Sequence, residues 1–256
     1  LRAKNVIRII ESITEPESSF EKNFKMLKYN VSAIIVTRGN PQIFCNKPLV
    51  EFSIDNSQQS DLITDVYVAT DNEQMRDIAL AKGAKVPFLR PKYLSSQSVG
   101  VEEVLQYYIN KLDELETNPD IVVYLSPKYP FRIQEHLDRL IQLLIMRGFD
   151  SVMTGLPTYK SCWVMQNDFL KRIDEGFINR GKKQPIHVAY AGLGCVTYTG
   201  TIRKGKLLGD KIGILEVLDS YSTLEVESID EYSLAEKVFQ NWWNKNNPLS
   251  DVFGKG

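Results

Sequence analysis

Three short loops carry the residues best suited to chemistry. The first reads Thr37-Arg38-Gly39-Asn40-Pro41-Gln42, with Asn46-Lys47 close behind. An Arg fork can hold two phosphate oxygens at once, and a nearby Lys adds a second cation. Gly39 lets the backbone approach a ligand closely. Arg38 and Lys47 are therefore candidates for a polyphosphate, although a solvated Arg in a turn accounts for the pattern equally well. The loop is neither a Walker loop nor a G-x-G-x-x-G dinucleotide loop. The second loop offers Thr70 and Asp71, where helix capping alone would explain the Asp. The third, Ser126-Pro127-Lys128-Tyr129-Pro130-Phe131-Arg132, is stiffened by two prolines and ends on a cation, which also suits a rigid connector.

Each loop follows a run that reads as a buried strand. Val31–Val36, Asp65–Ala69 and Asp120–Leu125 are short, apolar and rich in β-branched residues, as strands covered on both faces are. Helical patterns alternate with them. Asp71 with Gln74 forms a capping box ahead of Met75, Ile78 and Ala79, with Gly83 placed as a left-handed stop. Ser98 is placed to cap a helix bearing Val101, Val104, Leu105, Tyr108, Leu112 and Leu115. Leu137, Leu140, Ile141, Leu144 and Ile145 form a further apolar stripe. This alternation predicts a doubly wound, mostly parallel α/β sheet, whose ligand site lies beyond the carboxyl ends of the strands. After residue 156 the pattern changes to short β-like pieces at 161–166, 193–199 and 212–217, and a last helix starts near Asp230. Residues 1–30 read as a helical arm, 31–245 as one α/β domain and 246–256 as a tail.

Bulk composition narrows the function. Lys and Arg total 31 against 32 Asp and Glu, a net charge of −1, so the basic excess expected of a non-specific nucleic-acid binder is absent. Cys45, Cys162 and Cys195 are too scattered for a zinc knuckle or a disulfide framework and fit buried thiols in a reducing compartment. No apolar run approaches the ~20 residues that span a bilayer. Neither membrane nor export is expected, and cytoplasm is the default.

Taken in order, these segments resemble the acylneuraminate (sialic acid) cytidylyltransferases over roughly residues 31–240. The family's A-R-G-G-S-K-G-I-P-x-K corresponds to Thr37–Lys47, and its K-P-L-[IV] to Lys47-Pro48-Leu49-Val50. V-S-T-D-[DN]-E resembles Val68–Glu73. G-A-x-V-P-F-x-R-P is matched by Gly83–Pro91, the most specific run. L-Q-P-T-S-P-[LF]-R resembles Leu125–Arg132, and L-L-G-x-K-x-G resembles Leu207–Gly213. The closing D-I-D-[TS]-x-x-D-L-x-x-A-E is similar to Glu225–Glu236.

The resemblance implies a nucleotide-diphospho-sugar transferase-like fold and transfer of CMP from CTP to a nonulosonic sugar acid. It implies Arg38, Gly39, Asn46, Thr70, Asp71 and Ser126 at the nucleotide, with Arg90, Gln97 and Arg132 at the sugar acid. It also implies Mg²⁺, with Glu225 and Glu227 as its cage; if 224–228 is extended, residues two apart point the same way. A homodimer is implied through the segment after 156, where Cys162-Trp163-Val164-Met165 and Phe169-Leu170 are apolar enough for an interface core. The departures fall at the chemistry. Gln42 stands for the lysine of S-K-G, Asn40 for its second Gly, Ser126 for the Gln of Q-P-T-S-P, Gln97 for an Asp, and both carboxylates of D-I-D are glutamates. Those changes leave open a domain of this fold that binds a nucleotide or partner without catalysis. A glycosyltransferase is the third reading, and the chain contains no D-x-D metal motif to support it.

Overall fold

The computed structural model describes residues 6–7, 29–174, 176, 178–217, 220–227 and 229–246. At its heart is β2 (Val31–Val36), lying between β5 (Asp65–Ala69) and β6 (Ile121–Leu125) and parallel to both. Its side chains divide by the period of two. Val31, Ala33 and Ile35 enter one core with residues of α1 (Leu49–Gln58), α2 (Glu73–Ala81) and α4 (His136–Arg147). Ile34 enters the opposite core with Leu105, Tyr108 and Ile109 of α3 (Val101–Glu114). Helices on both faces of a largely parallel sheet make the expected doubly wound architecture.

The sheet continues from β6 through β11 (Cys195–Tyr198), β7 (Ser151–Thr158) and β12 (Ile212–Glu216). β11 runs antiparallel to both of its neighbours, whereas β12 is parallel to β7. β10 (Ile186–Ala189) pairs antiparallel with the far end of β7. Between β10 and β11 the chain bulges outward opposite Thr154, which receives Tyr190 N–H and donates its own N–H to Gly194 O, both at 2.9 Å. Glycine is required in that bulge. A Cβ on Gly192 would lie 2.8 Å from the Tyr129 ring and 2.9 Å from Ser126 Cβ.

Two tight hairpins are built on non-glycine turns of positive φ. Cys45 (48°) and Asn46 (61°) join β3 (Ile43–Phe44) to β4 (Lys47–Pro48). Asn167 (50°) and Asp168 (65°) join β8 (Trp163–Gln166) to β9 (Phe169–Arg172). Positive φ at both central residues matches the right-handed twist of the paired strands. The first hairpin is anchored by Phe44, whose ring meets Phe52, Phe131, Tyr232 and Phe239 edge-on. The last two belong to α6 (Ile229–Asn246), so this aromatic cluster ties the C-terminal helix to the loop after β2. The remaining short helix, α5 (Thr199–Arg203), packs beside α3.

Three local expectations are corrected. Val6–Ile7, expected in a helix, form a two-residue strand, β1, parallel to β12; residues 1–5 and 8–28 of the proposed arm lie outside the described residues, as do 247–256 of the tail. The cap of α2 is Asn72, which accepts from Met75 N–H at 2.9 Å, and not Asp71. Helix α3 starts after Gly100 without a side-chain cap, because the Ser98 hydroxyl pairs with Ser96 at 2.9 Å. Gly83 does take the left-handed conformation (φ 81°) behind α2.

Candidate active site

Beyond the carboxyl ends of β2 and β6 opens a cavity of about 560 Å³, a size suited to a small-molecule ligand. The loop after β2 supplies Thr37, Arg38, Asn40 and Gln42. The segment between α2 and α3 supplies Arg90, Ser96 and Gln97, and the loop after β6 supplies Ser126, Lys128 and Tyr129. Gly192, Glu225 and Glu227 close the far wall.

Each loop is held by another. Asp71 accepts the Gly39 N–H at 3.0 Å, and Asn72 donates to Asn40 at 3.1 Å, so the loop after β5 fixes the loop after β2. Gly39 has φ 69°, a conformation that would strain any residue with a Cβ. Partial burial opposes ionisation of Asp71, but hydrogen bonds from Ser95 and Gly39 and the charge of Arg90 outweigh it and hold the carboxyl below its ordinary range. Arg90 is itself only 4% exposed; it donates to Thr37 O at 3.0 Å, and burial pulls its pKa down. Arg38 is exposed at the mouth and donates to Ser96 O at 3.3 Å. A pair of guanidiniums therefore borders one wall, one fixed by the fold and one turned to solvent.

Six expected residues do not line the cavity: Gly39 and Asp71 make the loop-to-loop contact behind it, and four others lie elsewhere. Arg132 is fully buried, and its guanidinium donates to Leu193 O (2.6 Å), Gly192 O (3.3 Å), Ser126 O (3.4 Å), Ser53 Oγ (3.3 Å) and Asn56 Oδ1 (3.5 Å). It sews the β10–β11 bulge to the loop after β6 rather than facing a substrate. Lys47 and Asn46 belong to the β3–β4 hairpin, which Phe44 packs against α6, and neither lines the cavity. Thr70 is buried and its hydroxyl accepts Asn72 N–H at 3.2 Å. Gln42, which replaces the expected lysine, accepts a hydrogen bond from Tyr232 OH at 3.1 Å.

Lys128, to which the sequence pattern gives no role, also lines the cavity. Val226 N–H donates to Lys128 O at 2.8 Å, which fixes the 224–227 segment beside the loop after β6. With Val226 buried in the aromatic cluster, Glu225 and Glu227 turn together towards the cavity. They converge on the Lys128 ammonium, 2.5 Å from Glu227 Oε1 and 3.7 Å from Glu225 Oε1. Tyr129 OH donates to Glu225 Oε2 at 3.0 Å. The two carboxylates expected to hold a metal thus have an ammonium and a phenol as their partners. No group of three or more His, Cys, Asp or Glu side chains that could hold a metal occurs among the described residues. The one available signal was a Lys at the position where the resembled pattern L-Q-P-T-S-P has an uncharged Thr.

The cytidylyltransferase family model matches residues 40–173, which contain the loops after β5 and β6 and, of the loop after β2, the part from Asn40 onward, so that Arg38 and Gly39 lie just outside the match. The chain belongs to the cytidylyltransferase family. Within it, the chain is 27% identical to CMP-N,N'-diacetyllegionaminic acid synthase of Legionella pneumophila over 129 residues, 50% of this chain and 56% of that protein. It is also 27% identical to the pseudaminic acid cytidylyltransferase of Campylobacter jejuni over 170 residues, 65% and 72% of the two chains. Solved structures share the fold at lower identity. The 4-diphosphocytidyl-2C-methyl-D-erythritol synthase of Anaerococcus prevotii superposes with TM-score 0.60 at 14% identity, covering 83% of this chain and 99% of that one. A CMP:2-keto-3-deoxy-manno-octonic acid synthetase complexed with CTP gives 0.51 at 14%, over 84% and 86%. No helix among the described residues of this family member is long and apolar enough to cross a membrane.

Proposed function

We propose that this chain transfers CMP from CTP to a nonulosonic sugar acid of the legionaminic, pseudaminic or sialic type. The observation that carries the reading is the cation-bordered cavity at the ends of β2 and β6, inside a chain that belongs to the cytidylyltransferase family. In the reaction a sugar hydroxyl oxygen bonds to the α-phosphorus of CTP, the bond from that phosphorus to the bridging oxygen breaks, and pyrophosphate leaves. The hydroxyl proton passes to water. Such chemistry depends mainly on positioning and on neutralising phosphate charge, and no histidine lines the cavity. In this reading Arg38 holds the triphosphate, the Gly39–Asp71 contact fixes the loop that presents it, and Ser126 meets the nucleotide. Arg90 and Gln97 border the sugar-acid end. Mg²⁺, the cofactor the resemblance implies, reaches both glutamates only by displacing Lys128.

A second reading, nucleotide binding without transfer, is favoured by Gln42, which is uncharged and tied to Tyr232. Pyrophosphate release, measured with all four nucleoside triphosphates against a panel of nonulosonic acids, separates the two. Transfer requires release with CTP and at least one acid. In parallel, Arg38→Ala is expected to weaken CTP binding about 10- to 100-fold, from the loss of one charge-assisted contact worth roughly 1.5–3 kcal/mol. Unchanged affinity by titration calorimetry removes Arg38 from the phosphate.

A further inference from the structure

Lys128 lies in the same cavity as Arg38 and is only a third exposed on its side chain (34%). Its stem rises from a loop stiffened by Pro127 and Pro130, and its backbone carbonyl is pinned by Val226 N–H. Both carboxylates that could hold a divalent ion are directed at its ammonium, and Tyr129 OH takes a further oxygen of Glu225. Mg²⁺ demands near-octahedral oxygen ligands at roughly 2.0–2.1 Å and sheds water reluctantly. An ammonium held against Glu227 occupies the space and the charge that such an ion would need.

We propose that Lys128 is the resident cation of this site: it takes the place of a divalent ion between Glu225 and Glu227, and its ammonium turns to a phosphate of the bound nucleotide. The proposal rests on the nucleotide-transfer reading for the second half only, since occupancy between the glutamates is independent of any nucleotide. The glutamates then position Lys128 rather than ligate a metal. A lysine suits this exchange because its four-carbon stem can swing a compact charge between two acceptors without backbone movement.

The test uses the full chain and three variants: Lys128→Met, which keeps the stem without the charge, Glu227→Gln, and the two combined. Binding of Mn²⁺ alone is followed by the paramagnetic resonance of free Mn²⁺. The parent is expected to bind none at micromolar to low millimolar concentrations, Lys128→Met to bind one ion, and Lys128→Met/Glu227→Gln to lose it. CTP titrated in EDTA is expected to bind the parent and to bind Lys128→Met about 10- to 100-fold more weakly, the range for one charge-assisted contact to phosphate. Parent Mn²⁺ binding that equals that of Lys128→Met and disappears in Glu227→Gln would overturn the proposal in favour of a metal cage. A Lys128→Met variant that gains no ion also overturns it. CTP affinity in EDTA that is unaffected by Lys128→Met removes the phosphate contact. A parent that binds CTP under no condition fails the nucleotide reading, while the Mn²⁺ titration still decides what sits between the glutamates.

Discussion

Replacing Arg132 separates a structural guanidinium from a substrate-binding one. Its charge is met by five neutral oxygens, of which Leu193 O at 2.6 Å is the nearest. In Arg132→Met the apolar stem is retained, but Leu193 O and Ser126 O lose this donor inside the protein. Each carbonyl left unsatisfied costs about 1–3 kcal/mol. Against this, the desolvation cost of a buried cation is removed, which can return 1 kcal/mol or more. The net expectation is a loss of roughly 2–4 kcal/mol, read as a lower midpoint in urea at unchanged slope. For a chain of this size that corresponds to a fall in Tm of about 5–15 °C. Arg132→Lys should be at least as damaging, since one ammonium cannot span the bulge and the β6 loop together. If Arg132→Met stays within about 1 kcal/mol of the parent while sugar-acid affinity collapses, the guanidinium serves the substrate and the structural reasoning is refuted.

Two further outcomes follow from the same structure. His136 is buried, its Nε2–H donating to Thr154 Oγ1 (2.8 Å), which donates in turn to Gly194 O (3.0 Å). Burial, then the charges of Arg132 and Arg139, push its pKa down to about 3. A folded pKa below the unfolded value near 6.5 means that its contribution is complete above about pH 6.5 and is lost as pH falls towards 3; urea midpoints of His136→Gln should therefore decline less steeply across that window than those of the parent, and parallel declines would contradict the assignment. For assembly, the β8–β9 hairpin exposes Met165 (64%) and Phe169 (78%), and its base is braced by Asp174, whose carboxyl Arg172 and Lys183 hold well below its ordinary range. We propose that a second copy of the chain covers this hairpin: light scattering should give twice 29.3 kDa for the parent and the monomer mass for Met165→Asp/Phe169→Asp, and a monomeric parent would exclude it.

The fold was legible because its signals are local. Val31, Ala33 and Ile35 against Ile34 announce a strand buried on both faces, and the stripe from Leu137 to Leu144 announces the helix that covers one of them. Gly83 and its left-handed turn follow from one residue type at one position. The loops resisted the same treatment because their side chains have several partners within reach. Asp71 before a helix has the spacing of a cap, but the cap is its neighbour Asn72, and the carboxylate spans 32 residues to Gly39. Arg132 at the mouth of a helix looks exposed until the bulge of residues 190–194 folds over it, and nothing within 50 positions of Arg132 encodes that bulge.

The site departures make physical sense as linked sets. In the resembled pattern a lysine stands where this chain has Gln42, and an uncharged residue stands where it has Lys128. One cation thus leaves the loop after β2 and one enters the loop after β6, so the number of positive charges around the cavity need not change while their positions do. Gln42 is taken up by Tyr232, a contact across 190 residues, and Lys128 by Glu227, across 99. The Asp-to-Glu changes belong to the second set. From a backbone fixed by the Val226–Lys128 hydrogen bond, the added methylene carries the carboxylates out to an ammonium at the end of a four-carbon stem. A glutamate pair is therefore a better match to a tethered lysine than to an ion held close to the main chain. These positions should vary together: a member of the family with aspartates at 225 and 227 is expected to lack the lysine at 128.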